Sequence, residues 1–168
     1  MLPDLEVPDL SYPDIVLSSD FSGLEIYQCE NWTYDSLHGG NIGSIQIYDG
    51  ENSIFPRTSR IQNVEGYKQY RKTFWKNAGT EAWENIAPVV TQNATAQFPR
   101  ETVTVAIGTA TDSMTNKPND SVFSGQPAGV TIEPGQSIAV WIRQIITPGG
   151  VAAEIYSNVT CTIQLMEV

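Results

Sequence analysis

A chain of 168 residues with a formal charge of −10 is long enough for one domain with a real core. The acid excess opposes general binding to nucleic acid or anionic membranes, because like charges repel at range. Hydrophobic residues make up 40%, and the 13 glycines and 10 prolines suit a loop-rich β domain better than a disordered chain.

The first fifteen residues carry a short repeat, LPDLE, VPDLS, YPDIV, in which Pro3, Pro8 and Pro13 each precede an Asp and an aliphatic residue. Proline fixes φ and removes a donor, so a regular helix is excluded and an extended, polyproline-like arm is expected over 1–20. Leu5, Leu10 and Ile15 are spaced to lie in a groove of another surface, and a disordered tail is the other reading. MLPDLEVPDL has no basic n-region and no apolar core, so no secretory signal is expected. No apolar run approaches the ~20 residues of a membrane helix.

Residues 24–28 (LEIYQ) read as a strand, and 35–43 as a loop around Gly39-Gly40. Residues 44–48 (SIQIY) alternate and end at Asp49-Gly50, a strong turn signal. Residues 70–76 (YRKTFWK) are a strand, and 80–87 (TEAWENIA) a short helical turn or a loop. Residues 101–108 place Val103, Val105 and Ile107 on one face, before a polar loop from 109 to about 120. Residues 129–146 read as strand, turn at Glu133-Pro134-Gly135-Gln136, strand. After a TPGG turn, VAAEIY and NVTCTIQLME close the chain, with Val159, Cys161, Ile163 and Leu165 on one face. No helix of ten residues or more is expected. About eight to ten short strands at this spacing predict an all-β chain. The expected architecture is a single β-sandwich or jelly-roll-like domain over 21–168 behind the arm 1–20.

Charge is distributed unevenly. Residues 1–56 hold ten acids and no Lys or Arg, and residues 57–76 hold six basic residues and one acid. Such a split points to partners more than to fold, and an acidic arm is matched to a basic surface on its own domain or on a neighbour. Within GYKQYRKTFWKN (66–77), strand alternation sends Tyr70, Lys72, Phe74 and Lys76 one way and Arg71, Thr73 and Trp75 the other. Interleaved aromatic and basic residues also serve single-stranded nucleic acid, but the overall field and the lack of a companion motif oppose that use. A strand at a protein–protein contact is the preferred meaning, since aromatics and Arg are enriched there.

Catalysis finds no constellation. His38, the one histidine, sits in a loop beside two glycines and is expected to be exposed, and no CxxC, HxH or HExxH spacing occurs. YDGEN and TDSMTNKPND are acidic loops without the spacing of a calcium loop, and no pair of carboxylates is singled out for glycoside chemistry. No catalytic residue, metal or cofactor is assigned, and the chain is expected not to be an enzyme. Cys29 and Cys161 are too few for a disulfide scaffold and are expected to be reduced. The N-x-S/T sequences at Asn31, Asn93, Asn119 and Asn158 carry no meaning without secretion.

Two stretches carry a resemblance. The strand Tyr70, Arg71, Phe74, Trp75, Lys76, Asn77 follows an aliphatic-Phe element (Ile54-Phe55) and a polar stretch ending at Gly66. Near the C-terminus, Ala139, Val140, Trp141, Ile142 and Arg143 form an Ala-Val-Trp-Ile-Arg strand, followed by a Pro-Gly turn and a closing amphipathic strand. Together, over roughly 41–77 and 121–167, these resemble a family of virion structural proteins of tailed bacteriophages. The resemblance implies a particle component, of which a capsid decoration (cement) protein on the outside of the head is the preferred form. It implies contacts with the major capsid protein and with copies of the chain itself, in a homo-oligomer for which a trimer around a symmetry axis is one form. It implies location in the virion after assembly in the host cytoplasm, with no direct nucleic acid and no membrane.

Expected assembly contacts are Leu5, Leu10, Ile15, Tyr70, Arg71, Lys72, Phe74, Trp75, Lys76, Trp141 and Arg143. Core packing is the plain reading of Trp75 and Trp141, and an internal ion pair that of Arg71 and Arg143. A tail, neck or baseplate part of the same virion is the nearest alternative. A carbohydrate-binding module is the alternative of a different class, and it requires Trp32, Trp75, Trp83 or Trp141 to lie flat and exposed.

Overall fold

The computed structural model describes residues 14–19, 21–48, 54–55, 60–93, 101–148 and 160–168. In chain order its strands are β1 (Asp14–Ser19), β2 (Leu24–Asn31), β3 (Gly39–Ile47), β4 (Tyr67–Asn77), β5 (Trp83–Asn93), β6 (Glu101–Gly108), β7 (Val130–Ile132), β8 (Ser137–Ile146) and β9 (Thr160–Glu167). Among the described residues the helical pieces are the six-residue α1 (Arg60–Glu65) and one 3₁₀ turn at Asp120–Val122. The strands make a four-stranded sheet, β1-β9-β5-β7, and a five-stranded sheet, β3-β2-β4-β8-β6. The chain is all-β and sandwich-like, as its strand spacing predicts. From β4 onward every connection changes sheet, the alternation of a jelly roll.

The core follows from alternation. Trp75, Val105, Val140 and Ile142 of the larger sheet meet Leu17, Ile86, Ile132, Ile163 and Leu165 of the smaller. The face assignment of β4 holds: Trp75 points between the sheets, while Tyr70 and Phe74 belong to two clusters on the opposite side. Both faces of β4 are nevertheless buried, because residues 32–40 and 109–124 fold over the outer face. Backbone bonds fasten these segments: Gly40 N–H to Asp112 O at 2.9 Å, Met114 N–H to His38 O at 2.9 Å, and Ser124 N–H to Val105 O at 3.0 Å.

Three expectations change. Residues 80–87 are not a helical turn: β5 starts at Trp83. A register shift between Trp83 and Ile86, with Asn85 at φ 52°, breaks the two-residue period that marks a strand in sequence. Pro88 is tolerated because β7 spans only 130–132, and the next N–H on that side, from Val90, reaches Gly125 O instead. Gly39 and Gly40 open β3 instead of lying in a loop. The arm does not run unbroken to residue 20, since residues 14–19 are β1, parallel to β9 from Asp14↔Thr160 to Ser19↔Leu165. Residues 1–13, including Leu5 and Leu10, lie outside the described residues, as do VAAEIY and Val159.

Gly39 shows how tightly the outer layer is seated. Its φ is 123°, and a Cβ there would stand 2.5 Å from Ser113 Cα and 2.8 Å from Asp112 O. Gly39→Ala is therefore expected to cost about 1–3 kcal/mol through backbone strain and the forced separation of the two loops. Urea unfolding measures it, and an unchanged midpoint would show that the two loops are not in contact.

Candidate functional site

A polar hub lies under the outer layer. Lys72 is fully buried, yet its Nζ donates to the carbonyls of Gly40 (2.8 Å), Ala110 (3.1 Å) and Asp112 (2.8 Å) and stands 2.5 Å from Asp112 Oδ1. The same carboxylate accepts Trp141 Nε1–H at 3.1 Å and Thr109 N–H at 2.8 Å. The rings of Phe74 and Trp141 flank the ammonium at 4.9 and 5.8 Å. A buried ion pair this well supplied with hydrogen bonds offsets its desolvation and fixes the loops in place.

His38 is buried, not exposed as its glycine-flanked position predicts. β2 stops pairing with β4 at Gln28↔Thr73, so the next N–H on that edge, of Lys72, has no strand to meet. It donates to His38 Nε2 at 2.8 Å, and the imidazole stands where a strand carbonyl would. Trp32 and Trp141 flank the ring at 5.2 and 5.9 Å, and Cys29 Sγ is 3.7 Å from Nε2. Cys29 is a free thiol whose pKa burial pushes up.

An accepting Nε2 requires the neutral ring. Burial first, then the charge of Arg71, pushes the His38 pKa down to about 4. The unfolded ring titrates near 6.5, so the unfolded state binds the proton first as pH falls. This contribution leaves stability at its full value above about pH 6.5 and removes up to about 3 kcal/mol by about pH 4. Urea unfolding at about pH 7.5 and about pH 4.5 should show the loss. His38→Gln, which keeps an acceptor, should flatten it, and an equal slope in that variant would assign the effect elsewhere. Asp120, whose carboxyl the Tyr70 hydroxyl and Lys68 hold down at about 2, loses its contribution mainly below its unfolded value of about 4, and so below the point at about pH 4.5.

Beside the hub, where β2 has left, no strand among the described residues pairs with that edge of β4. There Tyr34, Asp35, Tyr67, Lys68, Gln69, Tyr70, Arg71 and Met114 line a cleft of about 150 Å³. Arg71 is only 4% exposed, and its guanidinium stacks 4.0 Å from the exposed ring of Tyr34. Its Nε donates to Ile54 O (3.1 Å), and its Nη1 to Thr33 O (2.9 Å) and Tyr70 O (3.2 Å). Burial lowers its pKa, and the groups opposing that are Tyr34, Cys29 and Tyr67, not a carboxylate. Among the described residues no acid pairs with it.

The other expected contacts divide. Lys72, Phe74, Trp75 and Trp141 are buried, so the folded chain cannot offer them to a partner as a surface; Tyr70 and Arg71 are buried too but line the cleft. Both faces of their strands are covered, which the alternation alone does not reveal. Arg143 is partly buried and held internally, donating to Asp120 O at 3.0 Å and Thr104 Oγ1 at 3.0 Å, with Asp120 Oδ1 at 3.7 Å. Lys76 is half-buried on β4 opposite Ser137, and Ile15 pairs with Cys161 through β1. Surface apolar side chains missed by the sequence reading concentrate in 34–48: Tyr34, Leu37, Ile42, Ile45 and Tyr48. Strict alternation on β3 hides them, because register shifts in the β2–β3 pairing turn Ile42 and Ile45 outward.

Among the described residues no group of three or more His, Cys, Asp or Glu could hold a metal ion, and no helix is long and apolar enough to cross a membrane. Compared with known proteins, the chain matches no protein-family model, no curated protein and no solved structure.

Proposed function

We propose that this chain is a non-enzymatic structural protein of a tailed-phage virion, a decoration protein that binds the outside of the head and stabilises contacts between capsomers. The observation that carries the reading is the pairing of the two stretches on which the resemblance rests. They are neighbours in the sheet, matched as Tyr70↔Arg143, Lys72↔Trp141, Thr73↔Val140 and Phe74↔Ala139. Two distant segments that interlock in the interior behave as one fold-building unit, which is what a shared architecture would preserve. Contact with a shell then falls to other surfaces, and the exposed apolar run of 34–48, including the edge strand β3, is the open candidate.

Supporting features are a sandwich stiffened on both faces of one sheet and an acid surplus that disfavours packaged DNA. The glycan-binding alternative loses its platform: Trp75 and Trp141 are fully buried, and Trp32 and Trp83 are partly buried against the core. Quantitative mass spectrometry of purified virions tests the proposal through copy number relative to the major capsid protein. Hundreds of copies in a simple ratio would support decoration. A handful to a few dozen would move the chain to the tail, neck or baseplate, and absence would end the virion reading.

A further inference from the structure

On the edge of β4 that β2 has left, no strand among the described residues takes the next position. Lys72 N–H is already answered by His38, and Tyr70 O by Arg71. Side chains and backbone groups alternate, so the main-chain groups of Lys68 and the N–H of Tyr70 point the same way as Lys72 N–H. Among the described residues no strand faces them. The cleft beside this edge has tyrosine walls and a buried guanidinium whose Nη2 has no hydrogen-bond acceptor among the described residues. Lys68 stands at its rim, paired with Asp120 at 2.9 Å, and Lys117 Nζ lies 4.5 Å from the Tyr70 ring. The acid of the lining, Asp35, is turned to its own loop, accepting from Thr33 Oγ1 and Leu37 N–H. Such a site suits an extended segment with a carboxylate for Arg71 and aliphatic side chains for the tyrosines.

The sequence holds such a segment. Residues 1–13 contain Asp4, Glu6 and Asp9, no Lys or Arg, and two proline-free runs, Asp4-Leu5-Glu6-Val7 and Asp9-Leu10-Ser11-Tyr12. Each run is long enough to bond the open edge before a proline, lacking its N–H, interrupts. The segment joins β1 at the rim of the other sheet. Fully extended it reaches about 40 Å, comparable to the width of a domain this size, so it can cross to a neighbour. We infer that the cleft between Tyr34 and the open edge of β4 receives the acidic, proline-spaced segment 1–13 of a second copy of this chain. The contact is heterologous, one chain's N-terminal segment to the next chain's cleft, and repetition closes a ring or extends a row. It does not depend on the virion proposal, and the test below uses purified protein alone.

Analytical ultracentrifugation of the full chain should show an oligomer that dissociates in high salt. Because Arg71 is buried and its loss can unfold the domain, the cleft is altered at exposed positions with Tyr34→Ala and Lys68→Glu. The segment is altered with Asp4→Lys, Glu6→Lys and Asp9→Lys. Each altered chain, shown folded by circular dichroism, should weaken self-association at least tenfold and sediment as monomer. Mixing the two should restore a heterodimer, since each retains the half the other lacks. A monomeric full chain, or self-association indifferent to either set, would overturn the inference. Failure of the mixture to pair would also overturn it, by showing that the segment serves its own chain or no chain.

Discussion

Asp112→Ala should be among the most damaging single substitutions in this protein, at about 3–5 kcal/mol. The carboxylate is the counter-charge of a lysine with no access to water, and it also holds Trp141 Nε1–H and Thr109 N–H. Its removal leaves an ammonium buried among aromatic rings with carbonyls alone, the situation in which breaking a buried pair costs most. Lys72→Met leaves the opposite charge stranded and should cost a similar amount. The double variant Lys72→Met, Asp112→Ala should lose clearly less than the sum of the two, because neither charge remains unpaired. Urea unfolding of the four chains completes the cycle. A coupling near zero would show that the two charges do not meet.

Trp75→Ala should also cost about 3–5 kcal/mol, for a different reason. The indole is fully buried between the sheets, and its Nε1–H donates to Thr73 Oγ1 at 2.9 Å. Alanine leaves a cavity at the centre of the core and an unfilled Thr73 acceptor. Trp75→Phe keeps most of the volume and should lose much less. Equal losses in the two variants would mean that the hydrogen bond, not the volume, dominates at this position.

Period-two patterning made much of this fold legible. β6 was readable to its ends, and β4, β8 and β9 to within a few residues, because one side of each strand meets a continuous core. β5 was not, since a bulge at Asn85 shifts the pattern midway through a Trp-Glu-Asn-Ile run. The site was less legible than the fold. His38 carries no sequence mark of burial, because its value lies in an N–H stranded by the departure of β2, a purely tertiary circumstance. The loop containing Asp112 looks like a solvent-facing acidic loop until it is laid over Lys72. One signal was present in hindsight: Gly39-Gly40 and Gly108 are small where two backbones or a carboxylate come close. A Cβ on Gly108 would meet Asp112 Oδ2 at 2.5 Å.

The smaller sheet is assembled out of the order in which the chain is made. β9 lies between β1 and β5, so the first strand described here has its partner 146 positions downstream, at Asp14↔Thr160. During synthesis β1 waits with an open edge until residues 160–167 leave the ribosome, and β5 waits with one side bare. Closure is thus a late, long-range event of the kind that makes β topologies slow to fold and vulnerable to aggregation beforehand. The same arrangement acts as a completeness check. A chain broken off before β9 lacks the middle of a sheet, not a dispensable tail, and cannot complete the fold.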